Sequence, residues 1–302
     1  VKFWFSRIAF LLSLCLLTIS GPTTTQATAP KATLVELKVK SAEVDFPIRS
    51  VWVLTPAVSP NQIDLLPVVY MLHGWPGTPQ GIITGVKSAM QTAFAHGTTP
   101  FIAVFPDGNA ITHADSEWAD SLDGRAKIET WLTNDVIDAV EGRNIRMRND
   151  RAIMGFSMGG YGAAMIGLHH PELFVQIVTL AGYFTIDDLT NAFGTGATSA
   201  QKLVYQTPTT FLKVASKERW FLGESSQDYT VLIRGQAASW GRKLKGVKAT
   251  YTLSNAPGGH SYLFVANEIP QILKWLKWAV KTPPKPQPSP TNTPRDNQVS
   301  PN

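Results

Sequence analysis

One hexapeptide restricts the possible folds more than anything else in the chain: Gly155-Phe156-Ser157-Met158-Gly159-Gly160. It follows a short apolar run, Ala152 to Met154, and precedes a stretch rich in alanine and glycine, Met158 to His169, that Pro171 stops. A serine flanked by glycines at a strand-to-helix junction reads as a nucleophile elbow. The small residues let the backbone turn tightly and leave the hydroxyl exposed at the tip. An elbow of this kind needs a buried strand before it and a helix after it, so it predicts an α/β sheet.

The rest of the chain supplies the other parts of such a sheet. Leu34 to Val39 and Ile48 to Leu54 alternate apolar and polar residues on either side of the turn-like Asp45 to Pro47, and so predict an antiparallel opening pair. Val68 to Leu72 and Phe101 to Phe105 are continuous apolar runs, as expected of strands buried on both faces. Further strands are predicted at Val175 to Leu180, Trp220 to Leu222 and Ala249 to Leu253. Helices are predicted at Ile128 to Val140, Met158 to His169, Tyr229 to Leu244 and Ala266 to Val280. Alternating strands and helices imply a mostly parallel central sheet covered by helices on both faces; with a nucleophile elbow at a strand end, the expected architecture is that of an α/β-hydrolase.

A serine hydroxyl needs a base to activate it and a carboxylate to hold that base, in the chain order serine, acid, histidine. His169 and His170 close the helix after the elbow, which suits helix-end or surface roles. His260, in Pro257-Gly258-Gly259-His260-Ser261-Tyr262, follows the last strand and is the candidate base. The acid belongs to the loop Gly223-Glu224-Ser225-Ser226-Gln227-Asp228, where Asp228 is the first choice and Glu224 the second; Asp187 and Asp188, one strand earlier, are a third possibility. Two backbone N–H groups should face the developing oxyanion. Met158 is the expected source of one. The turn His73-Gly74-Trp75-Pro76-Gly77 offers the other at Trp75, because Pro76 has no N–H, and His73 itself reads as a structural residue. Phe105 to Asn109 and Trp118 are placed at the mouth of the pocket, although core packing suits Trp118, Trp131 and Trp240 better.

Neither a zinc motif nor a phosphate-binding glycine loop is present, so no cofactor or metal is implied. With 27 basic and 22 acidic residues, the excess charge of +5 is spread along the chain and does not point to nucleic acid. Lys2 and Arg7 precede the apolar run Ile8 to Ile19, the layout of a secretory signal peptide over residues 1–29. The single cysteine, Cys15, lies inside that run, so the domain expected over residues 30–281 has neither disulfide nor thiol. Residues 282–302 are dominated by Pro, Ser, Thr and Asn and read as a disordered tail. Secretion or association with the cell envelope is the implied location, and the composition sets no oligomeric state.

Taken together, Tyr70-Met71-Leu72-His73-Gly74, Phe105-Pro106-Asp107-Gly108, the elbow through Ala163, His170-Pro171-Glu172-Leu173-Phe174, Ala181-Gly182-Tyr183 and Gly258-Gly259-His260 resemble the putative-esterase family. That family includes esterase D-like enzymes, feruloyl esterases and secreted actinobacterial mycolyltransferases. The resemblance runs from about Val51 to Trp278 and implies a triad of Ser157, an acid and His260 with oxyanion donors at Trp75 and Met158. In its turn after Gly74 the chain departs from the mycolyltransferases, which carry charged residues there. The expected activity is that of a serine carboxylesterase or acyltransferase on a small-molecule, glycolipid or carbohydrate ester. The competing expectation is a non-catalytic cell-surface binding protein that retains the hydrolase fold.

Overall fold

The computed structural model describes residues 32–41, 48–111, 115–184 and 206–279. The signal-peptide segment, Cys15, Asp187, Asp188 and the proline-rich tail lie outside the described residues. Eight strands form one sheet in the order β1-β2-β4-β3-β5-β6-β7-β8. They are β1 (Thr33–Lys40), β2 (Ile48–Thr55), β3 (Val68–Leu72), β4 (Ile102–Pro106), β5 (Arg151–Phe156), β6 (Gln176–Leu180), β7 (Arg219–Gly223) and β8 (Thr250–Ser254). β1 pairs antiparallel with β2, and β2 antiparallel with β4; every later pairing is parallel. Strands β3 to β6 are buried along their whole length, the consequence of helices on both faces.

Among the described residues, five helices do most of the covering. On one face lie α1 (Pro79–Ala95) and α5 (Tyr262–Trp275), whose Ile82, Val86, Met90, Val265 and Ile269 pack with alternate side chains of the sheet. On the other lie α2 (Ile128–Glu141), α3 (Met158–His169) and α4 (Gln236–Gly246), contributing Trp131, Val136, Ile166, Trp240 and Leu244. Helix α2 runs as α-helix Ile128–Trp131, a π-helical turn Leu132–Val136 and α-helix Ile137–Glu141. Beneath it, the buried Arg151 guanidinium grips Glu141 through two hydrogen bonds of 2.7 and 2.8 Å, and the Tyr70 hydroxyl donates to the same carboxylate at 2.8 Å.

Several boundaries differ from the sequence expectation. Helix α1 was not foreseen. Thr78 caps its start and Pro79 occupies the first position, both ordinary signals, but Gly81 and Gly85 depress helix propensity across its first turns. What makes the glycines acceptable is the Tyr262 side chain, which lies along the helix so closely that a Cβ at Gly81 or Gly85 would come within 2.8 Å of it. Helix α4 begins at Gln236 and not at Tyr229, because Gly235 takes a left-handed conformation (φ 80°) and residues 231–235 form turns. Helix α5 starts earlier than expected, at Tyr262, with the Ser261 hydroxyl accepting from Leu263 N–H at 3.2 Å. Trp118 is fully buried and does not line a pocket mouth. Its ring fills the space that side chains at Gly108 and Gly162 would need, and its Nε1 donates to the His73 carbonyl at 3.0 Å. Trp131 and Trp240 are core residues, as expected.

Candidate active site

Ser157 sits between β5 and α3 at φ 56° and ψ −119°, a conformation that a side-chain-bearing residue adopts only under strain. Its neighbours show why the tip is surrounded by glycine. A Cβ at Gly155 would meet the Gly159 carbonyl oxygen at 1.8 Å, and one at Gly159 would meet the Leu72 oxygen at 2.3 Å. The Ser157 N–H donates to Leu180 O at 2.8 Å, which ties the elbow to the end of β6.

The loop after β8 carries His260 to the serine, with Nε2 lying 2.9 Å from Ser157 Oγ. On the other side of the ring, Nδ1 meets Asp228 Oδ2 at 2.7 Å. Asp228 Oδ1 accepts from Thr230 N–H at 2.9 Å, an Asx turn that aims the carboxylate. The Asp228 side chain is wholly buried, whereas that of His260 is 28% exposed. Burial pushes the Asp228 carboxyl up, but the hydrogen bonds from Thr230 and His260 outweigh it and hold the group below the ordinary aspartate range. Since Nδ1 donates to an ionised carboxylate, Nε2 is left to accept a proton from the serine.

Two further contacts lock the acid and base loops together. Gly258 N–H donates to Gln227 Oε1 at 2.8 Å, and Gly259 N–H to Ser225 Oγ at 3.2 Å. Both glycines have positive φ, 131° and 64°, so the turn that presents His260 suits glycine. The Phe156 ring packs on the imidazole at 4.8 Å and on Tyr262 at 5.2 Å. Ser225, Gln227, Thr230 and Tyr262 were not singled out from sequence. Only Thr230 had a legible signal there, as the residue two beyond an aspartate.

Glu224 faces elsewhere. Its carboxylate accepts from the backbone N–H groups of Gly235 and Ala237, the latter at 3.0 Å, and so closes the start of α4. His169 and His170 both contact Glu129, away from the serine. His73 braces the site from beneath: Gly108 N–H donates to its Nε2 at 3.0 Å, leaving Nδ1 to donate to Gly74 O at 2.9 Å. The turn after β3 is closed by Gly77 N–H donating to Gly74 O at 2.7 Å. It lies against the nucleophile, since a Cβ at Gly74 would sit 3.0 Å from Ser157 Cβ. Trp75 follows directly, and Met158 is the first residue of α3, whose N–H has no acceptor within the helix. Among the described residues no group of three or more His, Cys, Asp or Glu side chains is arranged to hold a metal ion.

Residues 48–273 match the family described as putative esterase. No curated protein matches the chain. Similar solved structures include a ferulic acid esterase (TM-score 0.68, 21% identity, covering 82% of this chain and 97% of that one). The S-formylglutathione hydrolase FrmB of Staphylococcus aureus is similar at TM-score 0.65 and 18% identity, covering 81% of this chain and 98% of its own. MPT51 (FbpC1) of Mycobacterium tuberculosis is similar at TM-score 0.60 and 17% identity, covering 82% and 100%. With the family match spanning most of the chain, the sheet order and the elbow agree on one assignment: the chain belongs to the putative esterase family and is a hydrolase of the α/β-hydrolase fold.

Proposed function

We propose that the protein is an exported serine carboxylesterase or acyltransferase that works through an acyl-enzyme on Ser157. The observation that carries this reading is the continuous relay from Ser157 Oγ through His260 to Asp228, at 2.9 and 2.7 Å. In the first half-reaction His260 Nε2 takes the hydroxyl proton as Oγ attacks the ester carbonyl. The tetrahedral oxyanion is held by the N–H groups of Met158 and Trp75, a pair of donors of which each is worth about 10²–10³ in rate. Collapse breaks the bond to the leaving alcohol, and His260 returns the proton to it. In the second half-reaction water or a carbohydrate hydroxyl gives its proton to His260 as it attacks the acyl-enzyme carbonyl; collapse breaks the bond from the acyl carbon to Ser157 Oγ, His260 returns the proton to Oγ, and the acyl group leaves on the acceptor. Hydrolysis and transfer therefore use the same residues and differ only in the acceptor.

Asp228 acts as a fixed negative charge, stabilising the imidazolium in both half-reactions without taking its proton. Export is supported by the basic residues Lys2 and Arg7 ahead of the apolar run Ile8 to Ile19. The reading is tested with p-nitrophenyl esters and a fluorophosphonate probe. Turnover by the wild type, labelling at Ser157, and loss of activity by about 10³-fold or more in folded S157A and H260A variants are expected. A wild type that neither turns over these esters nor takes the probe overturns it. Recovery of the protein from the culture medium or envelope fraction, against the cytoplasm, tests export.

A further inference from the structure

The turns that assemble the site share a second property, apart from their chemistry. Because they follow the C-terminal ends of the parallel strands β3, β7 and β8, they all emerge at one edge of the sheet. They interlock around Ser157: the 225–228 turn is bonded to Gly258 and Gly259, and Tyr262 packs against the Gly77 turn. On the outside of these turns stand Trp75, Tyr229, Val231, Leu232 and Leu263, all half-exposed or more. Val231 is 93% exposed, Tyr229 76% and Leu263 63%. Side chains so fully exposed stand out from the protein, Leu263 beside an open cavity that Gln80, Gly81, Thr84 and Tyr262 also line.

Among the described residues, charge is sparse in the same turns, Arg234 standing at their border. Residues 73–86 and 249–267 contain no Asp, Glu, Lys or Arg, and in residues 225–233 the only such group is Asp228, buried against His260. Isolated apolar residues on a protein surface need no explanation, but a cluster around a nucleophile, on turns that carry little charge, marks a contact surface. Its complement is an apolar phase of no net charge.

We infer that this rim seats the protein on the surface of a water-insoluble ester phase, so that the substrate enters Ser157 from a lipid aggregate or bilayer and not from solution. The inference rests on the proposed esterase activity for its catalytic half only; the docking half stands on exposure and charge. Contact through apolar side chains is insensitive to salt, unlike attraction between a basic protein and an anionic surface.

The test uses the full chain and the triple variant V231S/L232S/L263S, whose positions are exposed and outside the catalytic relay. On a soluble ester, p-nitrophenyl acetate, the two should agree within about twofold, whereas on a triacylglycerol emulsion the triple variant should lose about tenfold or more. Equal emulsion activity, or a wild type that hydrolyses the soluble ester and ignores the emulsion, overturns the inference. If the wild type hydrolyses neither, the esterase reading fails and docking is judged separately. For that arm the S157A protein, with and without the triple substitution, is sedimented with phosphatidylcholine vesicles in low salt and in about 1 M NaCl. The rim stands if the parent sediments at both salt levels and the triple variant about tenfold less. It falls if the two sediment alike, or if high salt releases the parent.

Discussion

Asp228 and Thr230 form a closed two-residue device: the Thr230 N–H holds one carboxylate oxygen at 2.9 Å while the other oxygen remains free to accept the hydrogen bond from His260 Nδ1–H at 2.7 Å. In D228N the amide is aimed by the same backbone, but its NH2 group competes with Nδ1–H and favours the wrong imidazole tautomer. The expected result is a kcat about 10³–10⁴-fold lower with little change in KM or melting temperature, measured on a soluble p-nitrophenyl ester.

Glu224 supplies the opposite case. Its carboxylate closes the start of α4 and does not approach the base. E224A is therefore expected to cost about 1 kcal/mol of stability in urea unfolding and to leave kcat within about threefold of wild type. A kcat loss as large as that of D228N would reassign the acid.

Glu117 is 4% exposed and accepts a hydrogen bond from the Tyr183 hydroxyl. Burial pushes its carboxyl from 4.5 up to about 8, the Tyr183 hydrogen bond opposing and the nearby Asp115 charge adding to the rise. Between these two values the folded chain holds a proton that the unfolded chain has released, so stability falls as pH rises through that window and levels off above it. The melting temperature of the wild type should drop by several degrees between about pH 6 and about pH 8.5, and that of E117Q by clearly less. Parallel curves for the two proteins would show that Glu117 is not the group responsible.

The ion pair beneath α2 gives a prediction for stability alone. With both side chains buried, E141A strands the Arg151 charge and leaves the Tyr70 hydroxyl without its acceptor. Unfolding should be easier by about 3–5 kcal/mol, while any folded fraction keeps its specific activity. Restoring a carboxylate one methylene shorter, E141D, should recover only part of the loss.

The parts of this architecture that were legible in advance are those with a local physical cause. The elbow, the fully apolar strands and the glycine-flanked His260 each follow from what their own few residues can do. Asp228 over Glu224 was a choice between two carboxylates on one turn, and the geometry that separates them depends on where α4 begins. That in turn depends on Gly235, whose left-handed conformation was not foreseen, so α4 was expected seven residues too early. Helix α1 was missed for a related reason. Its glycines weaken it locally, and only Tyr262, contributed from the other end of the domain, turns them into a packing surface. Trp118 carried two readings, pocket mouth and core, because a tryptophan near a catalytic loop looks the same in sequence whether it faces the substrate or fills the space beneath the loop; the second is the one the fold takes.

Ser157 and His260 meet across 103 positions of chain, and the strands that hold them apart in sequence must all be paired before they meet in space. Catalytic competence is therefore a reporter of the finished sheet. During refolding, helical signal should return first, because its contacts are local. Esterase activity should return only with the registration of β7 and β8, and its recovery would time the closing of the loop that joins the nucleophile to its base.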